Sequence, residues 1–118
     1  MTYDQNNIFA KILREEIPCK KVYEDDFSLA FYDIEPKAKI HVLVIPKGPF
    51  MDCEDFIDQA DVALKMGFHT AISKIIKQLN LAKGFRLISN SGVHGGQEVS
   101  HYHVHILAGE ELGPMVVK

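Results

Sequence analysis

The segment that decides the fold lies near the C-terminal end and reads Ser100-His101-Tyr102-His103-Val104-His105-Ile106-Leu107. Three of the chain's six histidines occupy alternate positions in it. Because successive side chains of a β-strand point to opposite faces, a strand here places the three imidazoles on one face and Tyr102, Val104 and Ile106 on the other. The pattern predicts a strand with one buried apolar face and one row of imidazoles.

Two chemistries use such a row, namely metal ligation and nucleophilic or acid–base work on a phosphate. Residues two apart on a strand are separated by about 6.6 Å and residues four apart by about 13 Å, so two rings could share a zinc ion but three could not. The spacing favours catalysis and predicts no metal site. His103 is the most crowded ring and the candidate for a neutral nucleophile, because neighbouring imidazoles oppose its protonation. His101 and His105 can then donate hydrogen bonds or protons.

Composition predicts the class of protein. A chain of 118 residues that is 47% hydrophobic and 25% charged predicts one domain, 1–118, with a modest core. A formal net charge of −3 and a pI near 6.0, without a concentrated basic stripe, argue against a nucleic-acid-binding surface. The N-terminal residues do not resemble a secretory signal, and the longest apolar run, 42–46, is too short to cross a bilayer. Cys19 and Cys53 lack CxxC spacing and are expected to be reduced thiols of a cytoplasmic protein.

The rest of the chain predicts a mixed α and β architecture. Residues 50–59 predict a loop with a short helical turn. Apolar residues at helical spacing predict two helices, over 7–16 and 60–81. Runs rich in β-branched and aromatic residues predict four further strands, over 21–24, 28–32, 40–45 and 85–90, the first three of them an antiparallel meander.

Two features support a site beside the imidazole row. The glycine-rich loop, residues 91–97, leads directly into the histidine segment. Its glycines can simply allow positive φ in a long connection, or they can leave backbone N–H groups open to an anion. His41 lies within an apolar strand, where a buried ring without a partner would cost about 1–3 kcal/mol. A nearby imidazole or backbone group is therefore expected to contact it.

These residues resemble a known family. Residues 95–109, Gly-Gly-Gln-Glu-Val-Ser-His-Tyr-His-Val-His-Ile-Leu-Ala-Gly, are similar to the signature of the histidine-triad (HIT) proteins, specifically the HINT-like branch of nucleotide-binding phosphoramidases. The likeness extends over nearly the whole chain, to Ile8-Phe9-x-Lys11-Ile12, Asp33-Ile34-x-Pro36 and His41-x-Leu43-Val44-Ile45-Pro46-Lys47.

The resemblance implies an α+β fold with a five-stranded antiparallel sheet, one long and one short helix, and a sheet that continues across a homodimer. It places the nucleophile at His103 and supporting roles at His101, His105 and His41. It implies a purine nucleotide site, whose base pocket, ribose contacts and phosphate contacts would come from Ile8, Phe9, Ile12, Phe31, Ile34, Asp33, Asn90, Gly96, Gln97, Glu98, Val99 and His105. Glu98 stands where members often carry a hydroxyl. Asn7 and Ala10 replace a zinc-binding cysteine pair of some relatives, so no structural zinc and no cofactor are expected.

The function implied by the resemblance is hydrolysis of the P–N bond of purine nucleoside 5'-phosphoramidates of the AMP or GMP type, through a nucleotidyl-histidine. Three alternatives remain at this point. The chain could hydrolyse dinucleoside polyphosphates, it could be a nucleotide-binding regulatory module without catalysis, or it could bind a metal through His103 with His101 or His105. The leaving group, the purine preference and any protein partner are not determined by these residues.

Overall fold

The computed structural model describes residues 2–117, so Met1 and Lys118 of the predicted 1–118 domain lie outside the described range. It contains a five-stranded antiparallel sheet in the order β1-β2-β3-β5-β4. The prediction of an α+β fold with this sheet is therefore confirmed. The elements in chain order are α1 (Ile8–Leu13), β1 (Lys21–Glu24), β2 (Ser28–Tyr32), β3 (Ile40–Pro46), α2 (Cys53–Gln59), α3 (Val62–Gln78), β4 (Phe85–Ile88) and β5 (Val104–Ala108).

The first three strands form the predicted meander. The observed β1 and β2 have the predicted boundaries, and β3 runs one residue further than predicted. The turn between β1 and β2 is fixed by Asp25, whose Oδ1 accepts the backbone N–H groups of Phe27 and Ser28. Short aspartate turns of this kind hold two strands in one register.

The helical region differs from the prediction. Residues 50–59 contain a seven-residue helix, α2, instead of a loop with a helical turn, and the long helix begins at Val62 instead of Ala60. Two aspartate N-caps explain the division, because Asp52 accepts the N–H of Asp55 and Asp61 accepts the N–H of Leu64. Ala60 between them is extended, with φ −72° and ψ 145°. The described chain therefore has one long helix and two short ones.

Both faces of the sheet are covered, which explains the apolar runs in its strands. On one face α3 packs through Phe68, Ile72 and Ile75 against a cluster that includes Val104 and Ile106. The opposite face carries a second apolar cluster, formed by Phe9, Ile12, Leu29, Phe31, Leu43 and Ile45. The short helix α1 contributes Phe9 and Ile12 to this second cluster, on the side of the sheet that also carries the imidazoles.

The histidine segment is only partly a strand. Regular pairing begins at Val104, so the prediction of a strand from residue 100 is wrong for its first four residues. Before Val104 the chain is fixed by other contacts: the N–H of Tyr102 donates to the carbonyl of Phe50, and the ring of His103 bonds the carbonyl of His101. The alternation itself is confirmed, because Tyr102, Val104 and Ile106 all join the cluster under α3.

No helix within residues 2–117 has both the length and the apolar character needed to span a bilayer.

Candidate active site

The imidazole of His103 is oriented as a nucleophile requires. Its Nδ1 lies 2.7 Å from the carbonyl oxygen of His101, and since a carbonyl can only accept, Nδ1 carries the proton. The lone pair is therefore on Nε2, which has no hydrogen-bond partner among residues 2–117. Burial lowers the pKa of His103, although the bond to His101 and the charges of Asp33 and Glu98 act in the opposite direction. The edge of Phe9 packs against the ring, with centroids 5.0 Å apart.

His101 has both ring nitrogens engaged by the protein. Its Nε2 lies 3.1 Å from the carbonyl oxygen of Pro46 and must donate to it. Its Nδ1 is therefore an acceptor, and the hydroxyl of Tyr3 donates to it over 2.6 Å. The side chain is fully buried, and burial lowers its pKa to about 4. In this arrangement His101 has no nitrogen left for a substrate, and it supports the site through its carbonyl.

His41 and His105 form a second pair whose proton positions are also fixed. The backbone N–H of Lys37 donates to Nδ1 of His41 over 3.0 Å, so the proton of this ring sits on Nε2. That Nε2–H donates to Nδ1 of His105 over 2.9 Å. Neutral His105 must then carry its own proton on Nε2. Burial lowers the pKa of both rings, that of His105 to about 4, so each is a neutral hydrogen-bond donor near pH 7.

Asp33 follows β2 and lies against this pair. Its Oδ1 accepts the N–H of Glu35 over 2.7 Å, and its Oδ2 lies 3.5 Å from Nε2 of His41. Donor atoms of Asp33, His41 and His105 lie within 4.8 Å of one another, as a metal site would require. A neutral histidine that coordinates through Nε2 must carry its proton on Nδ1, usually donated to an acceptor. Nδ1 of His41 faces the N–H of Lys37 instead, so these residues do not fit a metal ion.

One of the residues predicted to hold a base, Phe9, packs against the ring of His103. Phe9, Ile12 and Phe31 are buried in one cluster, and Phe9 and Phe31 pack edge to face with centroids 5.6 Å apart. Ile8 and Ile34 differ, because their side chains are 43% and 92% exposed. Ile8 and Ile34 are therefore free to contact a ligand, whereas Phe9, Ile12 and Phe31 are covered by the protein.

The glycine-rich loop is stabilised by its own hydrogen bonds. The N–H groups of Gly96 and Gln97 donate to the carbonyls of Val93 and Gly92. The amide of Gln97 is also engaged, since its Oε1 accepts the N–H of Gly92 and its Nε2 donates to the carbonyls of Met51 and Val99. Gln97 therefore sets the shape of the loop. Beside it, Glu98 is exposed, and Asn90 is half-buried at the start of the loop.

Tyr3 is the site residue that the sequence did not reveal. It lies 98 positions from His101 in the chain, outside every motif and periodic pattern. The carbonyl of Pro46 was missed for a related reason, because backbone acceptors leave no mark on residue type. The only sequence signal was indirect: a buried histidine needs partners for both nitrogens.

The chain is similar to known proteins over most of its length. A family model described as HIT domain matches residues 14–112. An uncharacterized HIT-like protein of Azospirillum brasilense is 49% identical, over 99% of this chain and 97% of the relative. A purine nucleoside phosphoramidase of Escherichia coli strain K12 is 44% identical, over 95% and 94% respectively.

Solved structures of histidine triad and HIT proteins are also similar to this chain. A histidine triad protein from Clostridium difficile superimposes with a TM-score of 0.86 at 44% identity, over 96% of this chain and 98% of that one. A HIT family hydrolase from Clostridium thermocellum gives a TM-score of 0.83 at 36% identity, over 97% and 99%.

Proposed function

This chain belongs to the HIT domain family, and we propose that it is a nucleotide hydrolase that cleaves the P–N bond of purine nucleoside 5'-phosphoramidates through a nucleotidyl-histidine. The observation that carries this proposal is the ring of His103. Its Nδ1 is held as a donor by a backbone carbonyl, so its Nε2 lone pair is free and the ring is neutral. The similarity to the E. coli phosphoramidase supports the substrate class.

In the first step Nε2 of His103 attacks the phosphorus atom, and the P–N bond breaks with its electron pair going to the leaving nitrogen. The ring then bears a positive charge, since Nδ1 keeps its proton. The hydrogen bond from Nδ1 to the carbonyl of His101 strengthens as this charge develops, which stabilises the transition state more than the ground state. This hydrogen bond is already short, 2.7 Å, before the charge develops.

His105 is the candidate proton donor for the leaving nitrogen. The negative charge of a bound phosphate opposes the effect of burial on the pKa of His105, and so favours its protonated form in the complex. The added proton occupies Nδ1 of His105, so the Nε2–H of His41 would then donate to Oδ2 of Asp33, 3.5 Å away, in place of Nδ1 of His105. The protonated ring gives its Nε2 proton to the departing amine and becomes neutral. In the second step it takes a proton from water, which attacks phosphorus and returns the electron pair to His103.

The nucleotide would lie across the site from α1 to the glycine-rich loop. We place the base against Ile8 and Ile34, above the cluster of Phe9, Ile12 and Phe31, and the ribose hydroxyls at the carboxylate of Asp33. The phosphate would meet His105 and the segment 96–99, where the N–H groups of Glu98 and Val99 donate to no group among residues 2–117. Anions are bound by free backbone N–H groups in such loops.

We also propose that the protein is a homodimer in the cytoplasm. The single HIT domain would span the chain, because the family match covers residues 14–112, which contain all five strands, and α1 just before the match packs against the same sheet. Both cysteines are free thiols, which fits a reducing compartment.

A substrate panel tests the proposal. Purified protein is incubated with adenosine and guanosine phosphoramidates of a simple amine and, in parallel, with dinucleoside polyphosphates, and the released nucleotide is measured. We expect the phosphoramidates to have the higher kcat/KM. Preference for the dinucleoside compounds would assign the chain to a polyphosphate hydrolase instead, and tight nucleotide binding with no turnover of either class would make it a binding module.

A further inference from the structure

Tyr3 reaches the interior of the site from the N-terminal segment. Its hydroxyl lies 2.6 Å from Nδ1 of His101, and the two rings pack edge to face with centroids 5.7 Å apart and an interplanar angle of 67°. A turn holds the segment in place, because the backbone N–H and side-chain amide of Asn7 both donate to the carbonyl of Asp4. The phenol is therefore presented to His101 by fixed backbone.

The direction of this hydrogen bond is set by the far side of the ring. Nε2 of His101 donates to the carbonyl of Pro46, so Nδ1 can only accept and Tyr3 must donate. The same residue, His101, supplies the carbonyl that accepts Nδ1–H of His103. The phenol of Tyr3 is thus linked to the ring of His103 through a single residue, His101, whose ring accepts one hydrogen bond and whose carbonyl accepts the other.

We propose that Tyr3 is a positioning residue for the reaction, which fixes His101 in one tautomer and one ring orientation and so holds the carbonyl of His101 against Nδ1 of His103. The inference rests on the proposed function and deepens it. Without the hydroxyl, Nδ1 of His101 is a buried acceptor without a donor, and the ring gains by rotating or moving. Such a shift moves the carbonyl, and the proton of His103 is then no longer confined to Nδ1. Any ring with its proton on Nε2 cannot attack phosphorus.

The test compares Tyr3→Phe with a matched control, Tyr23→Phe. Tyr23 also donates its hydroxyl to one acceptor, Asp25 Oδ2 at 2.8 Å, but on the outer strand β1. With an adenosine phosphoramidate as substrate, we expect Tyr3→Phe to lower kcat about tenfold with KM within about twofold, the pattern of a misplaced catalytic group. The control should keep the kcat of the parent. A kcat for Tyr3→Phe within about twofold of the parent overturns the inference.

A spectroscopic reading separates this inference from the proposed function. In ¹⁵N NMR of the parent, the ring nitrogens of His101 and His103 should report single tautomers, Nε2–H and Nδ1–H respectively. Tyr3→Phe should give tautomer mixtures at both rings, and Tyr23→Phe at neither. If turnover fails in the parent, the proposed function is wrong and the spectra alone decide the role of Tyr3. Unchanged spectra in a folded Tyr3→Phe protein overturn the inference, even where kcat falls.

Discussion

Each of the three innermost imidazoles has a backbone partner that determines which of its two nitrogens carries the proton. The carbonyl of Pro46 sets the tautomer of His101, the carbonyl of His101 sets that of His103, and the N–H of Lys37 sets that of His41. Because backbone groups cannot change between donor and acceptor, these proton positions persist for as long as each ring stays in contact with its backbone partner. This preorganisation leaves one free lone pair in the group, at Nε2 of His103.

At this scale the first prediction is that His103→Ala abolishes turnover, with kcat lower by more than about 10⁴-fold, while nucleotide binding is nearly retained. The nucleophile forms its bond only along the reaction path, so its loss removes transition-state stabilisation without equal loss of ground-state binding. His101→Ala and His105→Ala should lower kcat less, by about 10²–10⁴-fold for lost orientation or proton transfer. Steady-state kinetics and calorimetric titration with AMP measure the two quantities.

Rapid quench with labelled substrate completes this test. The unmodified protein should trap acid-labile nucleotide on His103, and His69→Ala, which removes an exposed histidine of α3, should behave as the parent. Label on another residue, or a substantial rate in His103→Ala, would mean that water attacks phosphorus directly.

Among the elements, those whose pattern is local were predictable and those that depend on distant contacts were not. Strands β1 and β2 follow from β-branched and aromatic runs with turn residues between them, and their boundaries are confirmed. The break between α2 and α3 was missed, because it needs two aspartate caps in succession within an acidic stretch that also resembles a loop. The irregular backbone before Val104 was missed as well, since it depends on the carbonyl of Phe50.

The same distinction between local patterns and distant contacts applies to the candidate site. Alternation in the sequence suggested His103 as the nucleophile, and the structure gives it a free Nε2. Spacing could not reveal which nitrogen of each ring is free, because that depends on Pro46, Lys37 and Tyr3. Roles for Asp33, Asn90 and the segment 96–99 stay predictions.

The glycine-rich loop is the element whose shape the proposed phosphate site would need. A Cβ at Gly95 would collide with the carbonyl oxygen of Ser91, so Gly95→Ala must open the loop. We expect KM for the phosphoramidate to rise about tenfold or more, equivalent to one lost hydrogen bond to a charged group. Gly84→Ala is the control for the strain of replacing a glycine. Its φ of +120° disfavours any side chain, but no atom lies within 4 Å of the added Cβ, so the change causes no collision. Equal KM values in both variants would separate the loop from phosphate binding.

For the whole molecule, the buried histidines make stability depend on pH. In the unfolded chain a histidine gains a proton as the pH falls through about 6.5. In the folded protein burial lowers the pKa of His101 and His105 to about 4. Between these values the unfolded chain binds more protons. As the pH decreases from about 6.5 to about 4, the free energy of unfolding therefore decreases by about 1.4 kcal/mol per pH unit for each such histidine. Above about pH 6.5 this stability is fully present, and below about pH 4 it is lost.

Urea unfolding at intervals between about pH 7 and about pH 4.5 measures this slope. His69→Gln, at an exposed position on α3, should leave the slope unchanged. A free energy of unfolding that stays constant over the range would show that the buried rings take up protons in the folded protein as readily as in the unfolded chain.

Metal dependence is also a property of the whole protein. We expect turnover to survive thorough chelation, because His41 offers a proton at the only cluster of suitable donors among residues 2–117. Elemental analysis before and after chelation, with the rate measured on the same samples, checks this. If the purified protein contains one equivalent of zinc and turnover stops when the zinc is removed, the prediction of metal-independent turnover is wrong. A zinc-dependent phosphatase treated in parallel confirms that the chelator works.

The last prediction concerns assembly, and it follows from the unequal edges of the sheet. At one edge, β1 carries Lys21 and Glu24, which form an ion pair over 2.8 Å, and its register is broken by an irregularity. Charges and bulges of this kind oppose pairing with another chain. At the other edge, β4 pairs only with β5 among the described strands and exposes Phe85 and Leu87 by 41% and 46%.

The chain next to β4 adds further apolar surface. The guanidinium of Arg86 donates to the carbonyls of Gly113 and Pro114, so the segment that follows, with exposed Met115, Val116 and Val117, begins beside β4. A second copy related by a two-fold axis would pair β4 with its own equivalent and cover both surfaces at once.

We therefore expect a dimer at micromolar concentration, with the sheet continuous through β4. Leu87→Lys should convert the dimer to a monomer, because a charge replaces apolar surface at the edge. Light scattering coupled to size-exclusion chromatography measures the mass. Ile57→Lys, which charges an exposed apolar position on α2, is the control and should remain dimeric. A monomeric parent would rule out the dimer, and a Leu87→Lys protein that stays dimeric would move the interface away from β4.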